Sequence, residues 1–239
     1  MKHKIKNTKK ITFIPYWVLV LSLLFGTNLG VYAQQSFRIK ADFSIKEKKI
    51  DGTDQLIMGT VYYDKNTKKI VYDVAFPEPE VWVISDTTLY KFVSDSLQSK
   101  QTVPPISESS LFHLLLTGEL KDFGLKKAGF TIAEVEQDKN LVIATWKSPK
   151  ELEPVFGKIM TSEKDKKLYG IIMYNKENQL VGKQVFRKYE LVKGLSVPQE
   201  VLQISYDPKT KTENMKLTNF KNVVVNELDI SEMYDFNID

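Results

Sequence analysis

Apolar and polar residues alternate along most of the chain after position 36. In FRIKADFSI at 37–45, every second residue is apolar and the residues between are Arg38, Lys40, Asp42 and Ser44. A period of two is typical of a β-strand with one buried face. Similar runs, separated by polar turns such as DKNTKK at 64–69, recur to residue 225. The pattern predicts one antiparallel sheet of about eleven strands.

One segment, PPISESSLFHLLLTGEL at 104–120, does not alternate and is typical of a short helix. Ser107 is expected to cap its N terminus and Gly118 to end it. At 100° per residue its apolar side chains cover roughly 200°, against about 100° for a helix on one surface. These side chains are Leu111, Phe112, Leu114, Leu115 and Leu116. We predict a helical insertion near 103–128 that forms a lid on the sheet.

A sheet of about eleven strands tends to curl or split. The strand KIVYDVAF at 69–76 has large apolar residues on both faces, which favours a sheet curled around an apolar space. We therefore predict an α+β fold, with a single large curved antiparallel sheet, or half-barrel, and a helical lid. The expected lining residues are Phe37, Ile39, Phe43, Tyr72, Trp82, Leu111, Phe112, Leu115, Leu116 and Trp146. For any one of these aromatic residues, a place in an ordinary core is the simpler expectation.

The N terminus has the pattern of an export signal. Five lysines precede an apolar run at 11–25, and Val31-x-Ala33 forms a small-residue cleavage site. The run is about fifteen residues long, shorter than the roughly twenty that span a membrane. We predict a signal peptide over 1–33, cleaved near Ala33, and a mature periplasmic domain over 34–239.

Removal of this signal changes the charge of the chain. The net charge of +4 becomes about −1, with 29 Lys and Arg against 30 Asp and Glu. The basic character therefore belongs to the export segment, and no nucleic-acid partner is expected. The chain has no cysteine, so it has neither a disulfide nor a lipid attachment site of its own.

No residues in the sequence form a recognisable catalytic or metal site. His113 is the only histidine of the mature chain, and neither a G-x-S-x-G elbow nor a phosphate-binding glycine loop accompanies it. A zinc site would need further histidine or cysteine ligands. We predict no catalytic residue, no metal, no cofactor and no enzyme activity. His113 is expected on the polar strip of the helix, and Asp86 in a turn.

Several segments together resemble the LolA family of periplasmic lipoprotein carriers. They are the aromatic-rich opening strand at 37–45, VISDTTLY at 83–90, ESSLFHLLLTG at 108–118, and the hairpin at 167–201 that ends with a proline opening a strand. The sequence departs from the family in lacking an N-terminal helix before the first strand. It also has Val71 where the family has an arginine tied to cargo transfer.

The resemblance implies a half-barrel whose apolar concave face shelters the acyl chains of lipoproteins. Its partners would be acylated lipoproteins or other lipids, an inner-membrane release complex and an outer-membrane acceptor, and the carrier would be a monomer. Such shelter is needed because each exposed methylene costs about 0.8 kcal/mol in water. The alternative is a periplasmic lipid-binding, sensor or interaction module of the same fold without lipoprotein transfer.

Overall fold

The computed structural model describes residues 37–49, 51–103, 110–154, 156–227 and 231–238. Thirteen antiparallel strands form most of this part of the chain. Numbered β1 to β13 in chain order, they are Arg38–Lys48, Asp54–Asp64, Lys69–Phe76, Glu80–Ser85, Thr88–Val93, Ser96–Thr102, Thr131–Asp138, Leu141–Lys147, Ile159–Lys164, Lys167–Tyr174, Leu180–Val192, Leu195–Asp207 and Thr212–Val225. All of them belong to one open sheet in the order β6-β5-β4-β3-β2-β1-β13-β12-β11-β10-β9-β8-β7.

The strand order explains why the insertion lies in the middle of the sequence. Strands β1 and β13 pair at the centre of the sheet, as in Phe43 opposite Phe220. The chain therefore runs outward from the centre to β6, crosses to β7 at the opposite edge, and returns inward. The crossing connection contains helix α1, Leu111–Thr117, and a 3-10 turn, Leu120–Asp122. A connection between opposite edges must traverse a face of the sheet, and α1 contacts the central strand β12.

The structure confirms a single antiparallel sheet but corrects the number of strands. It has thirteen strands, whereas alternation predicted about eleven. Strand β6, SLQSKQT, was not predicted because Leu97 is its one large apolar residue, and this residue is itself 50% exposed. An edge strand can pair through its backbone alone and needs no apolar face, so it leaves no alternating pattern in the sequence.

The end of the helix was predicted correctly and its beginning was not. Gly118 ends α1 with a left-handed φ of 75°, and the Glu119 N–H donates to the Leu114 carbonyl at 2.8 Å. The helix begins after Ser110, whose hydroxyl oxygen accepts a hydrogen bond from the His113 N–H at 3.2 Å. The prediction that Ser107 caps it is therefore wrong. Several serines precede the helix, and the sequence alone does not distinguish which one has the capping geometry.

The C-terminal segment covers the sheet on the face opposite α1. Adjacent residues of a strand point to opposite faces, and Tyr62 and Val71 pack with helix α2, Ser231–Tyr234. The Tyr62 and Tyr234 rings meet edge to face at 5.4 Å. This covering corrects one inference from the sequence. The apolar residues on the second face of β3 do not indicate a ligand space, because the chain's own C terminus packs against Val71.

The N-terminal prediction concerns residues outside the described part. The signal peptide proposed for 1–33 lies wholly there, and its cleavage near Ala33 stays a prediction. Residues 36–239 form one compact unit, and the division into a signal peptide and one domain stays a prediction. Among the helices of the described ranges, none has both the length and the apolarity needed to cross a membrane.

Candidate functional site

Nine of the ten predicted lining residues belong to one apolar cluster on the face of the sheet that α1 covers, which we call the inner face. They are Ile39, Phe43, Tyr72, Trp82, Leu111, Phe112, Leu115, Leu116 and Trp146. Phe37 is not part of this cluster, and its ring lies 5.6 Å from the Arg38 guanidinium carbon. The sequence therefore identified the apolar face. That these residues bind a ligand stays a prediction.

Helix α1 packs closely on the inner face, and its wide apolar arc has two partners. On one side, the Phe112 ring contacts Phe220 of β13 with 5.1 Å between ring centres. On the other side, the loop after the helix approaches so closely that a Cβ at Gly124 would lie 3.1 Å from the Leu114 methyl carbon. The helix is thus held between the sheet and its own following loop. This geometry accounts for an arc wider than one surface requires.

His113 is buried and hydrogen-bonded, which corrects its expected place on a polar strip. The Tyr63 hydroxyl lies 2.6 Å from His113 Nδ1, inside the protein. Tyr63 is on β2 and is fully buried. A buried polar side chain needs such a partner to offset its lost hydration. The pair is therefore a polar connection between the lid helix and the sheet.

A cavity of about 450 Å³ lies beyond the C-terminal end of α1, between the loop 118–127 and strands β7 to β9. Its floor is apolar and is formed by Ile132, Val135, Val142, Ala144 and Trp146. Of these, Ile132, Val135 and Val142 are 48%, 57% and 45% exposed. Large apolar side chains grouped at an open cavity are unusual on a protein surface and commonly mark a binding site.

A bulge in β7 creates this apolar floor. The pairing register of β7 with β8 shifts between Ile132 and Glu134, so that Ile132 lies opposite Trp146 and Val135 opposite Ala144. Strict alternation would place residues 132 and 135 on opposite faces of the strand. The extra residue of the bulge brings both onto the inner face.

Trp146 is held rigidly at the bottom of the cavity. Its ring is buried, and its indole N–H donates to the Thr161 hydroxyl of β9 at 2.8 Å. A buried indole N–H needs an acceptor, and Thr161 supplies one without placing a charge in the cavity. Trp146 therefore closes the bottom of the cavity with its ring almost entirely buried.

The rim of the cavity is charged and largely paired. Lys127 forms an ion pair with Glu119 at 3.1 Å, and Lys121 forms one with Glu163 at 3.3 Å. The lysine partners are 62% and 70% exposed. Such exposed pairs contribute only about 0–1 kcal/mol each, so they can exchange partners readily. The site thus combines an apolar interior with a rim of adaptable charges.

A second cavity, of about 460 Å³, lies at the end of the inner face where β1 to β4 meet, and Trp82 contributes to its wall. Charged residues such as Glu47, Lys49 and Glu80 share that wall. Next to it, the Tyr72 ring meets Phe43 edge to face at 5.2 Å. Burial raises the pKa of the Tyr72 phenol to about 12, so it stays neutral at physiological pH. The mixed lining makes this cavity less suited to a purely apolar guest.

Of the five floor residues, Trp146 was predicted from the sequence, and Ile132, Val135, Val142 and Ala144 were not. The three-residue spacing of Ile132 and Val135 in FTIAEVEQ was a usable signal, because it interrupts the alternation and is typical of a bulge. The position of β7 at an edge was not visible in local sequence, since it depends on the pairing of β1 with β13. Asp86, with φ of 50°, lies in the turn between β4 and β5 as predicted.

Several solved structures share this architecture at low sequence identity. A DUF1329 family protein from Desulfovibrio piger has a TM-score of 0.58 at 11% identity, covering 84% of this chain and 90% of that chain. A LolA superfamily protein from Nitrosomonas europaea has a TM-score of 0.55 at 10% identity, with the same coverage of 84% and 90%. A domain from Vibrio parahaemolyticus named for outer membrane lipoprotein sorting has 0.57 at 9% identity, covering 83% and 90%. No family model and no curated protein sequence matches the chain. The fold of this chain is LolA-like.

Proposed function

We propose that this protein is a periplasmic carrier that binds acyl chains of lipoproteins or other lipids and delivers them towards the outer membrane. The observation that carries the proposal is the apolar cavity floored by Ile132, Val135, Val142, Ala144 and Trp146, with three of these side chains exposed. The LolA-like fold supports it, since one relative in fold is named for lipoprotein sorting. The activity consists of binding and release, with no covalent step.

The energetics of such a site suit a carrier. An acyl chain gains about 0.8 kcal/mol for each methylene that it removes from water, and the exposed floor side chains gain in the same way when they are covered. Together these two gains from apolar burial can make the complex tight without a fixed pattern of polar contacts. Both gains are lost when the ligand is released.

A second candidate function follows from the packing of the lid. Side chains of α1, including Phe112 and Leu114, fill the central part of the inner face in this conformation. A protein whose interior is filled by its own residues can act as a sensor or interaction module of the same fold. The two candidates differ in one property, namely whether the folded protein accepts an apolar guest.

Binding of a fluorescent fatty acid tests the proposal. The chain over 34–239 should give a saturable rise in the emission of dansyl-undecanoic acid, with one probe for each protein. The physical reason is transfer of the dye and its chain from water into the cavity beside Trp146. Native mass spectrometry of the purified protein should show the corresponding adduct. A folded protein that takes up no probe and carries no lipid would contradict the carrier and favour the interaction module.

A further inference from the structure

We propose that the cavity binds one acyl chain at a time and that an anionic head group of this chain lies beside Lys126. This inference rests on the proposed lipid-binding function and makes it specific. It assigns the ligand class as a single-chain amphiphile carrying a carboxylate or a phosphate. The assignment depends on two independent properties of the site, namely its capacity and the distribution of charge on its rim.

The capacity corresponds to one chain. Binding sites of about 300–1,000 Å³ each enclose one small-molecule ligand, so the cavity of about 450 Å³ suits a single acyl chain. Two or three chains of ordinary length would need correspondingly more space. The central part of the inner face, between this cavity and the second one, is filled in this conformation because Phe112, Leu114 and Leu115 of α1 are buried against it.

Among the residues that the structure describes, the charges on the rim leave one cation available. Glu119 and Glu163 already pair with Lys127 and Lys121. Asp122, the third acidic residue of the rim, accepts a hydrogen bond from the Gly124 N–H at 3.1 Å.

Lys126 also lines the cavity and is exposed. It has no carboxylate within 4.0 Å among the residues of the described ranges. Its ammonium group can therefore pair with a ligand without first breaking an ion pair within the protein. A charged head group at the rim would keep its contact with water while its chain enters the apolar interior. In this arrangement the charged end of the ligand lies at the rim beside Lys126, and its apolar chain lies in the interior of the cavity.

The test compares ligands that share one chain and differ in the head. Hexadecanoate, hexadecyl phosphate and uncharged 1-hexadecanol each displace the neutral probe N-phenyl-1-naphthylamine from the 34–239 protein at low ionic strength. At least one of the two anions should bind several-fold more tightly than the alcohol. The tighter anion identifies the head group as a carboxylate or a phosphate. Lys126→Glu should weaken binding of that anion by roughly tenfold, since the rim charge is reversed, and leave the alcohol unchanged.

Lys209→Glu is the matched control. It makes the same change of charge at an exposed lysine in the turn between β12 and β13, and it should alter no affinity. Equal binding of the anions and the alcohol, or equal weakening by both substitutions, would overturn the inference while leaving the lipid-binding function standing. Failure of all three ligands and the probe to bind would overturn the lipid-binding function as well.

Discussion

Replacement of Leu114 by alanine should lower the free energy of unfolding by about 2–5 kcal/mol, the range for truncating a buried leucine. Leu114 is 1% exposed and is enclosed between the sheet and the loop after α1, where Gly124 approaches its methyl group. The loop backbone at Gly124 lies close to this side chain, so the space left by the lost methyl groups cannot close easily. Urea denaturation of the 34–239 protein, followed by tryptophan fluorescence, measures the change.

Leu191→Ala provides the control for this substitution. It removes the same atoms from a leucine on β11 that is 73% exposed, and it should change stability by less than about 0.5 kcal/mol. Equal stability of the two variants would mean that α1 is not packed in solution as it is in this structure. The lid would then be open in the free protein, and the inner face would be larger than the cavity described above.

Val135→Glu should weaken acyl-chain binding by at least roughly tenfold, because a hydrocarbon chain that covers a carboxylate removes hydration worth more than the roughly 1–3 kcal/mol of a neutral polar group. Val135 is 57% exposed in the free protein and lies on an edge strand. A glutamate at this position can remain solvated when the cavity is empty. The fold should therefore tolerate the change, and the loss should appear in the titration with dansyl-undecanoic acid rather than in the melting temperature.

Leu97→Glu is the matched control for Val135→Glu. It introduces the same charge at a half-exposed apolar residue on β6, the opposite edge of the sheet. Its effect on probe affinity should be close to zero. If Leu97→Glu weakened binding as much as Val135→Glu, the effect would reflect overall charge or stability, and the floor of β7 and β8 would not be the binding surface.

Local alternation was sufficient to predict the sheet, and it failed where burial depends on distant parts of the chain. The strand at 37–45 shows its buried face directly, and Ile39 and Phe43 are indeed buried. Strand β6 has no buried face and was missed. Similarly, Val71 packs against a C-terminal segment that lies more than 150 residues later in the sequence, and the residues around Val71 do not indicate this partner.

The candidate site could be predicted only in part for the same reason. Phe112 and Leu115 were recognisable as lid residues because helical periodicity is local. The hydrogen bond between Tyr63 and His113 joins residues 50 positions apart, and nothing near either residue indicates it. The cavity itself results from a bulge at one sheet edge combined with the path of the crossing loop. The bulge leaves a local signal in the spacing of Ile132 and Val135, but the path of the crossing loop leaves none, so the predicted lining included Trp146 but not Val135.

The location of the bound chain is the central claim, and photo-crosslinking measures it directly. Hexadecanoic acid carrying a diazirine near its methyl end would be bound to the 34–239 protein, irradiated, and the modified residues identified by peptide mass spectrometry. Labels are expected within 118–127, 131–147 and 161–163, which together line the cavity. Labels confined to the wall of the second cavity around Trp82, or an unlabelled protein under conditions where the fatty acid is present in excess, would contradict it.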